Sequence, residues 1–363
     1  MKKWLKRIGI VFALIFAALG IYIFLEEIDK SVIKTYAKNE ELKTVRPNWQ
    51  GTPIDEKNRF VNHEFPFLPK VTEILKWQLS GNPQKQEKLN DNERLQVLDP
   101  TEFLQNEKDG IIWLGHASFF IRLDGKNILI DPVFGSPSFI KKYVDFPSPV
   151  EKIKRLDYVL ISHDHRDHCD ENTIKEIGKK FPEAKFYSGL RMDELFKTWI
   201  PNEAQGAGWF QQFKLPDEKV KITFLPVRHW CRRGLTDTNH RLWGGFIVQG
   251  AGKTIYFGGD SGFGSHYKET AEIFPEIDYF LIGIGAFKPR WFMEANHNSP
   301  EDAMKAFVDS KAKTLVPMHY GTFDLSDEPP NEPLRLLKED AQKQNLSDKL
   351  KPLNINESII FSE

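Results

Sequence analysis

The segment YVLISHDHRDH, residues 158–168, constrains this chain more than any other stretch. Residues 158–162 are an apolar run of strand length, which predicts a buried strand. Four metal-binding side chains follow at once: His163, His165, Asp167 and His168. A histidine cluster on a freely placed loop is ordinarily a solvated accident. Here the strand fixes where the loop begins and therefore where its donors stand. His163 and His165, two apart, can converge on one ion from a tight turn, while Asp167 and His168 are displaced along the chain toward a second. Imidazole and carboxylate suit zinc at roughly 2.0–2.2 Å. Four residues cannot complete two sites, so further donors must come from elsewhere. His229, Asp260 and His319 supply them, each at the end of a predicted strand, after ITFLPV, TIYFGG and TLVPM.

The surrounding pattern is that of a layered α/β protein. Residues 111–115, 118–123 and 127–130 read as a meander, the last two strands joined at Asp124-Gly125. Further strands are expected at 220–227, 242–248, 254–258, 279–283 and 314–317. Helices are expected at 172–180 and from Ser299, an N-cap followed by Pro300 at the first helical position. These elements place the catalytic domain at 109–363. Residues 27–108 are more polar, and the aromatic stretch 60–77 predicts an extension packed on that domain.

The chain has 363 residues, 40% hydrophobic and 28% charged, enough to bury a sizeable core. A net charge of −1 argues against nucleic acid as a bulk polyanionic partner. With only Cys169 and Cys231, no disulfide framework is implied. Both thiols lie close to candidate ligands in sequence, and they read as buried wall of the site rather than as ligands. Residues 1–26 are of another kind. Lys2, Lys3, Lys6 and Arg7 precede an uncharged run at 8–25, which as a helix spans about 27 Å against a hydrocarbon core of roughly 30 Å. A cleaved signal peptide and a single-pass anchor both fit. The lack of a small-x-small site before Glu26 favours a transmembrane anchor, with the catalytic domain extracytoplasmic, or periplasmic in a bacterium.

The loop HDHRDH resembles the H-x-H-x-D-H hallmark of the metallo-β-lactamase superfamily. The resemblance implies an αβ/βα sandwich with two Zn2+ ions at one edge between two sheets. It implies His163, His165 and His229 at the first ion, Asp167, His168 and His319 at the second, and Asp260 bridging both. Paired zinc ions lower the pKa of a water from 15.7 to about 7 and can hold it as a bridging hydroxide. The ions outweigh Asp167, Asp260 and hydroxide in charge, which favours a phosphate oxygen. The same nucleophile attacks a lactam, thioester or lactone carbonyl, so the surrounding segments must select the substrate.

Those segments are WLGHASFFIRLDGKNILIDPVF, HWCRRGLTDTNHRLWGGF, FGGDSGFG, GAFKPRWFM and MHYGTFDLSDEP. Together, over roughly residues 58–337, they are similar to the N-acylphosphatidylethanolamine-hydrolysing phospholipase D family. What this implies is a phosphodiesterase that releases N-acylethanolamine and phosphatidic acid from a phospholipid at a membrane surface, and a homodimer. It makes His297 a substrate contact that acts beside Asp260, against a capping or packing role. Arg232 and Arg233 read as a phosphate clamp or as partners of Asp237. His116 reads as support behind the ligands or as structural, and Asp131 as the holder of a ligand histidine's free N–H or as a loop cap. Residues 134–143 read as an interfacial loop or a dimer contact, and His63, His240 and His266 as ordinary surface or core residues. Two other readings stand beside this one: a hydrolase of a lactone or lactam, and a non-catalytic metal-binding scaffold, which the complete ligand set opposes.

Overall fold

The computed structural model describes residues 31–137 and 140–361, together with Trp4 and Gly20. Three short strands come first: β1 (Ile33–Ala37), β2 (Lys43–Thr44) and β3 (Thr52–Asp55). β1 pairs antiparallel with β3, and β2 joins the edge of a larger sheet. Helices α1 (Val71–Ser80), α2 (Lys85–Asn90) and α3 (Thr101–Gln105) follow. This polar segment is tied to the rest of the protein along its length. Phe60 and Val61 are buried, the Phe60 N–H donates to the Asn239 carbonyl at 2.8 Å, and Trp77 stacks on Phe292 with ring centres 5.1 Å apart.

Strands β4 (Gly110–Gly115), β5 (Ser118–Leu123), β6 (Lys126–Ile130), β7 (Tyr158–Ile161), β8 (Lys185–Gly189), β9 (Ala204–Ala207) and β16 (Ser358–Ile360) form one seven-stranded sheet. Its order is β16-β4-β5-β6-β7-β8-β9. Strands β10 (Gln211–Gln212), β11 (Lys221–Leu225), β12 (Gly245–Gly250), β13 (Lys253–Phe257), β14 (Tyr279–Gly283) and β15 (Thr314–Met318) form the other with β2, in the order β15-β14-β13-β12-β11-β10-β2. Alternation along the strands divides the apolar residues between two layers. Phe119, Ile121, Ile128 and Ile130 point between the sheets, where Phe119 meets Phe257 edge-on at 6.3 Å. Phe120, Leu129 and Val159 point outward and are covered by Ile174 and Ile177 of α4 (Glu171–Lys180). Asp170 caps α4 by accepting from the Thr173 N–H at 2.9 Å. On the far side lie α6 (His266–Ile273), α8 (Pro300–Ser310) and α9 (Glu332–Lys343). Two further helices, α5 (Met192–Phe196) and α7 (Arg290–Met293), are single short turns.

Each sheet is antiparallel in one part and parallel in another. β4, β6 and β7 run the same way, as do β11, β13, β14 and β15. Their C-terminal ends therefore share an edge of each sheet, and the loops that leave those ends carry the site. The expected strand at 242–248 starts late, at Gly245, for a definable reason. Leu242 and Gly244 hydrogen-bond to the Leu190 and Ser162 carbonyls, each at 3.0 Å, and so bind the opposite sheet rather than their own ladder.

The anchor expected over residues 8–25 falls, Gly20 apart, outside the described residues. Among the described residues no helix is long and apolar enough to cross a membrane. The expected transmembrane helix, and the extracytoplasmic placement that depended on it, are therefore withdrawn.

Candidate metal centre

Six strand ends deliver the centre. His116 follows β4, Asp131 follows β6, and the loop from His163 to His168 follows β7. His229, Asp260 and His319 follow β11, β13 and β15. Among the described residues, four groups of donors have ligand atoms within 4.8 Å of one another: His163 with His165 and His229; His116 with Asp167, His168 and His319; His163 with His168 and Asp260; and His229 with Asp260 and His297.

In the first group, His165 Nδ1 lies 3.0 Å from His163 Nε2 and 3.1 Å from His229 Nε2. In the second, His319 Nε2 and His168 Nε2 stand 3.6 and 3.7 Å from Asp167 Oδ2. Asp260 Oδ2 lies 3.2 Å from both His168 Nε2 and His319 Nε2, and 3.9 Å from His229 Nε2. Tetrahedral ligands on bonds of about 2.0–2.1 Å are themselves about 3.3 Å apart, so the spacing fits an ion in each group. Alignment points the same way. His168 Nε2, His319 Nε2 and Asp260 Oδ1 are buried and make no hydrogen bond among the described residues. Close atoms that are not aligned on one another are aimed at a common third point, and leaving them unsatisfied is costly.

The lone pairs are aimed from behind. Asp131, fully buried, accepts at Oδ1 from the Ser162 N–H (2.7 Å), and at Oδ2 from the Ser162 hydroxyl (2.5 Å) and from His168 Nδ1–H (2.8 Å). The Ser162 proton is thereby used, so Ser162 Oγ accepts from His163 Nδ1–H at 2.9 Å. The Asn296 carbonyl accepts from His229 Nδ1–H at 3.1 Å. Three histidines thus engage Nδ1–H behind the site and turn Nε2 toward the centre, where it can serve as a ligand atom. Left-handed backbone at Asp131 (φ 41°), His116 (φ 52°) and His319 (φ 60°) turns these side chains off their strand ends.

Charge divides the groups. Burial holds His163 and His229 well below their ordinary pKa, with help from neighbouring imidazoles at His163 and from His165 at His229. Burial also lowers His165. Burial opposes a charge on His168 and His319, yet the adjacent carboxylates raise His168 well above its usual value and His319 to about 9. Asp167 and Asp260 are held well below theirs by His168, against the cost of burial. Without a metal, protons on His168 and His319 balance the carboxylates, and a cation can take that role.

Other sequence expectations meet different fates. His297 lies at the mouth of the centre, its side chain 18% exposed and Nδ1 3.8 Å from Asp260 Oδ2. Arg290 steadies its loop, donating to the His297 carbonyl at 3.2 Å and to Asp302 at 2.7 Å. Arg232 lies over Trp230 at 5.6 Å, and Trp230 packs against His165 at 4.8 Å, so Arg232 belongs to the rim. Arg233 does not. Its guanidinium donates to the carbonyls of Asp164 (3.2 Å) and Cys169 (2.7 Å), bracing the histidine loop from beneath. The clamp reading is therefore corrected for Arg233, which meets Asp237 only through its backbone N–H. Cys169 and Cys231 are buried, their thiols pushed up by burial, and neither enters a donor group. His266 has closer company than expected, with Ser261 Oγ 3.1 Å from its Nε2 and Tyr267 beside its ring. Of residues 134–143, two lie outside the described residues. Ser162, Asn296, Thr322 and the buried pair Asp164–Arg241 went unnoticed in the sequence, because no residue type or spacing marks a group that acts by touching another.

A family model described as the beta-lactamase superfamily domain matches residues 126–320, a span that holds all seven expected ligands. The chain is similar to N-acyl-phosphatidylethanolamine-hydrolyzing phospholipase D 1 of Caenorhabditis elegans, 34% identical over 231 residues, or 59% of this chain and 64% of that one. It is also similar to the mitochondrial N-acyl-phosphatidylethanolamine-hydrolyzing phospholipase D of Saccharomyces cerevisiae, 29% identical over 62% of this chain and 51% of that one. The chain thus spans less than two thirds of the length of either curated relative. A solved metallo hydrolase from Ignicoccus hospitalis shares the fold, with a TM-score of 0.55 and 23% identity over 70% of this chain and 99% of that one. With the sandwich, the strand-end donors and this match together, the chain belongs to the β-lactamase superfamily.

Proposed function

We propose that the chain is a metal-dependent hydrolase that cleaves the phosphodiester of N-acylphosphatidylethanolamine, yielding N-acylethanolamine and phosphatidic acid. The observation that carries the reading is the convergence of both donor groups on Asp260, whose Oδ2 is 3.2 Å from His168 and His319 and 3.9 Å from His229. The substrate comes from the relatives in worm and yeast, whose names state that reaction.

His163, His165 and His229 would hold one ion, Asp167, His168 and His319 the other, with Asp260 between them. Neutral imidazoles and carboxylates suit zinc, and iron or manganese accept the same set. When bound, the ions supply Lewis-acid polarisation and a water nucleophilic at neutral pH. The chain's own residues do the rest. His297, lowered by burial to about 4, is a neutral imidazole at the mouth and forms a hydrogen bond to a phosphoryl oxygen. Arg232, half-buried on Trp230, offers a bidentate cation to a second oxygen from the rim. Asp131 and Ser162, through His163 and His168, keep both donor groups rigid so that no reorganisation is needed as charge develops.

The test is release of N-acylethanolamine from N-acylphosphatidylethanolamine in mixed micelles by the metal-loaded chain, with Asp260→Ala beside it. Wild type is expected to turn over, and the variant to fall by about 10²–10³-fold or more, on the scale of losing a major electrostatic element. Equal activity in the two, at verified metal content, would sink the assignment. A wild type that is inactive on the lipid but hydrolyses a lactone or lactam moves the substrate to the carbonyl class.

A further inference from the structure

His116 stands among the donors of the second group, yet its hydrogen bonds set it apart from them. Its Nε2 lies 3.2 Å from Asp167 Oδ2, and its Nδ1 lies 3.0 Å from Thr322 Oγ1. Thr322 is fully buried, and among the described residues its hydroxyl has no other side-chain or backbone partner. Two arrangements are open. If His116 Nδ1–H donated to Thr322, the buried hydroxyl proton would have no acceptor. If Thr322 donates to Nδ1, then Nε2 carries the proton, donates to Asp167 Oδ2, and every polar atom is satisfied. The second arrangement wins, since a buried donor left without an acceptor forfeits its hydration with nothing in return. His168 and His319 differ, for their Nε2 atoms are left without hydrogen bonds.

The main chain adds a second hold. The His116 carbonyl accepts from the His319 N–H at 3.0 Å and from Trp113 Nε1 at 2.9 Å, and the His116 and His319 rings lie 4.0 Å apart. One residue therefore touches two expected ligands of the same ion, one through its ring and one through its backbone. We propose that His116 is a positioning residue for the second metal position, a protonated-Nε2 donor locked by Thr322 that orients Asp167, and not itself a ligand. This inference rests on the two-metal reading above.

The test uses the full chain, stripped by chelator, with stepwise Zn2+ affinities measured against a chelating dye. Wild type is expected to bind two ions. His116→Phe, which keeps an aromatic ring but has no donor, should weaken one ion by about 10–100-fold and leave the other within about threefold, on the scale of losing an outer-shell partner. His116→Gln, whose amide N–H can reach Asp167, should restore most of that loss. Equal loss in Phe and Gln variants would make His116 a ligand and overturn the proposal, as would unchanged affinities in both. If His116→Phe fails to fold, Thr322→Val carries the test, with a smaller loss at the same ion expected and no change contradicting it. Wild-type chain that binds two ions but leaves the lipid intact removes the substrate assignment and not this inference. Wild-type chain that binds fewer than two ions removes both.

Discussion

Asp131 accepts three hydrogen bonds and through them orients His163, of the first donor group, and His168, of the second. A substitution there reaches both. In Asp131→Asn, one oxygen becomes an NH2 group, which faces His168 Nδ1 and favours the tautomer with its proton on Nε2, pointed into the centre. Metal affinity is expected to fall by about 10–100-fold, as for other outer-shell partners, measured by chelator competition; wild-type affinity in the variant would contradict the orientation drawn here. The seven residues expected as ligands stand out in the sequence because each is a metal-binding type at or just after the end of an apolar run, and the structure brings their donor atoms together. Asp131 was half-legible, since it too ends a strand, but its target was not. Thr322 and Asn296 carry no signal, because their role depends on remote segments that fold beside them.

The histidine loop is held as an element as well as residue by residue. Beneath it, fully buried Asp164 pairs with Arg241 at 2.6 Å, and Arg233 ties the carbonyls of Asp164 and Cys169. Arg241 also contacts Asp237, which is partly exposed and can be hydrated in its absence. Asp164 has no such recourse. Arg241→Met is therefore expected to cost about 3–5 kcal/mol in urea unfolding, the range for stranding one partner of a buried pair, and a loss below about 1 kcal/mol would show that the pair is not what braces the loop. Reading Arg233 as a clamp was reasonable from its distance along the chain to His229. The structure turns that side chain downward because the main-chain carbonyls of Asp164 and Cys169 lie there, which spacing alone cannot reveal. The strands show the same limit. Those with continuous apolar runs, such as β7, β13 and β15, were plain, whereas β9, AQGA, is defined by its neighbour β8 and not by its own composition.

At the scale of the molecule, the site is a product of topology. Because β4, β6 and β7 run together in one sheet and β11, β13 and β15 together in the other, six loops from residues as far apart as His116 and His319 leave neighbouring edges. The layered α/β class was readable from the order of strands and helices; the pairing of two seven-stranded sheets was not, since it depends on long-range register. The central claim is that both donor groups must be filled for the chain to act. The direct test is to strip the full chain of metal and return Zn2+ in steps while following release of N-acylethanolamine. The account predicts that activity reaches its plateau at two equivalents per chain and is lost again on adding chelator. A plateau at one equivalent, or full activity in the stripped chain, would contradict it.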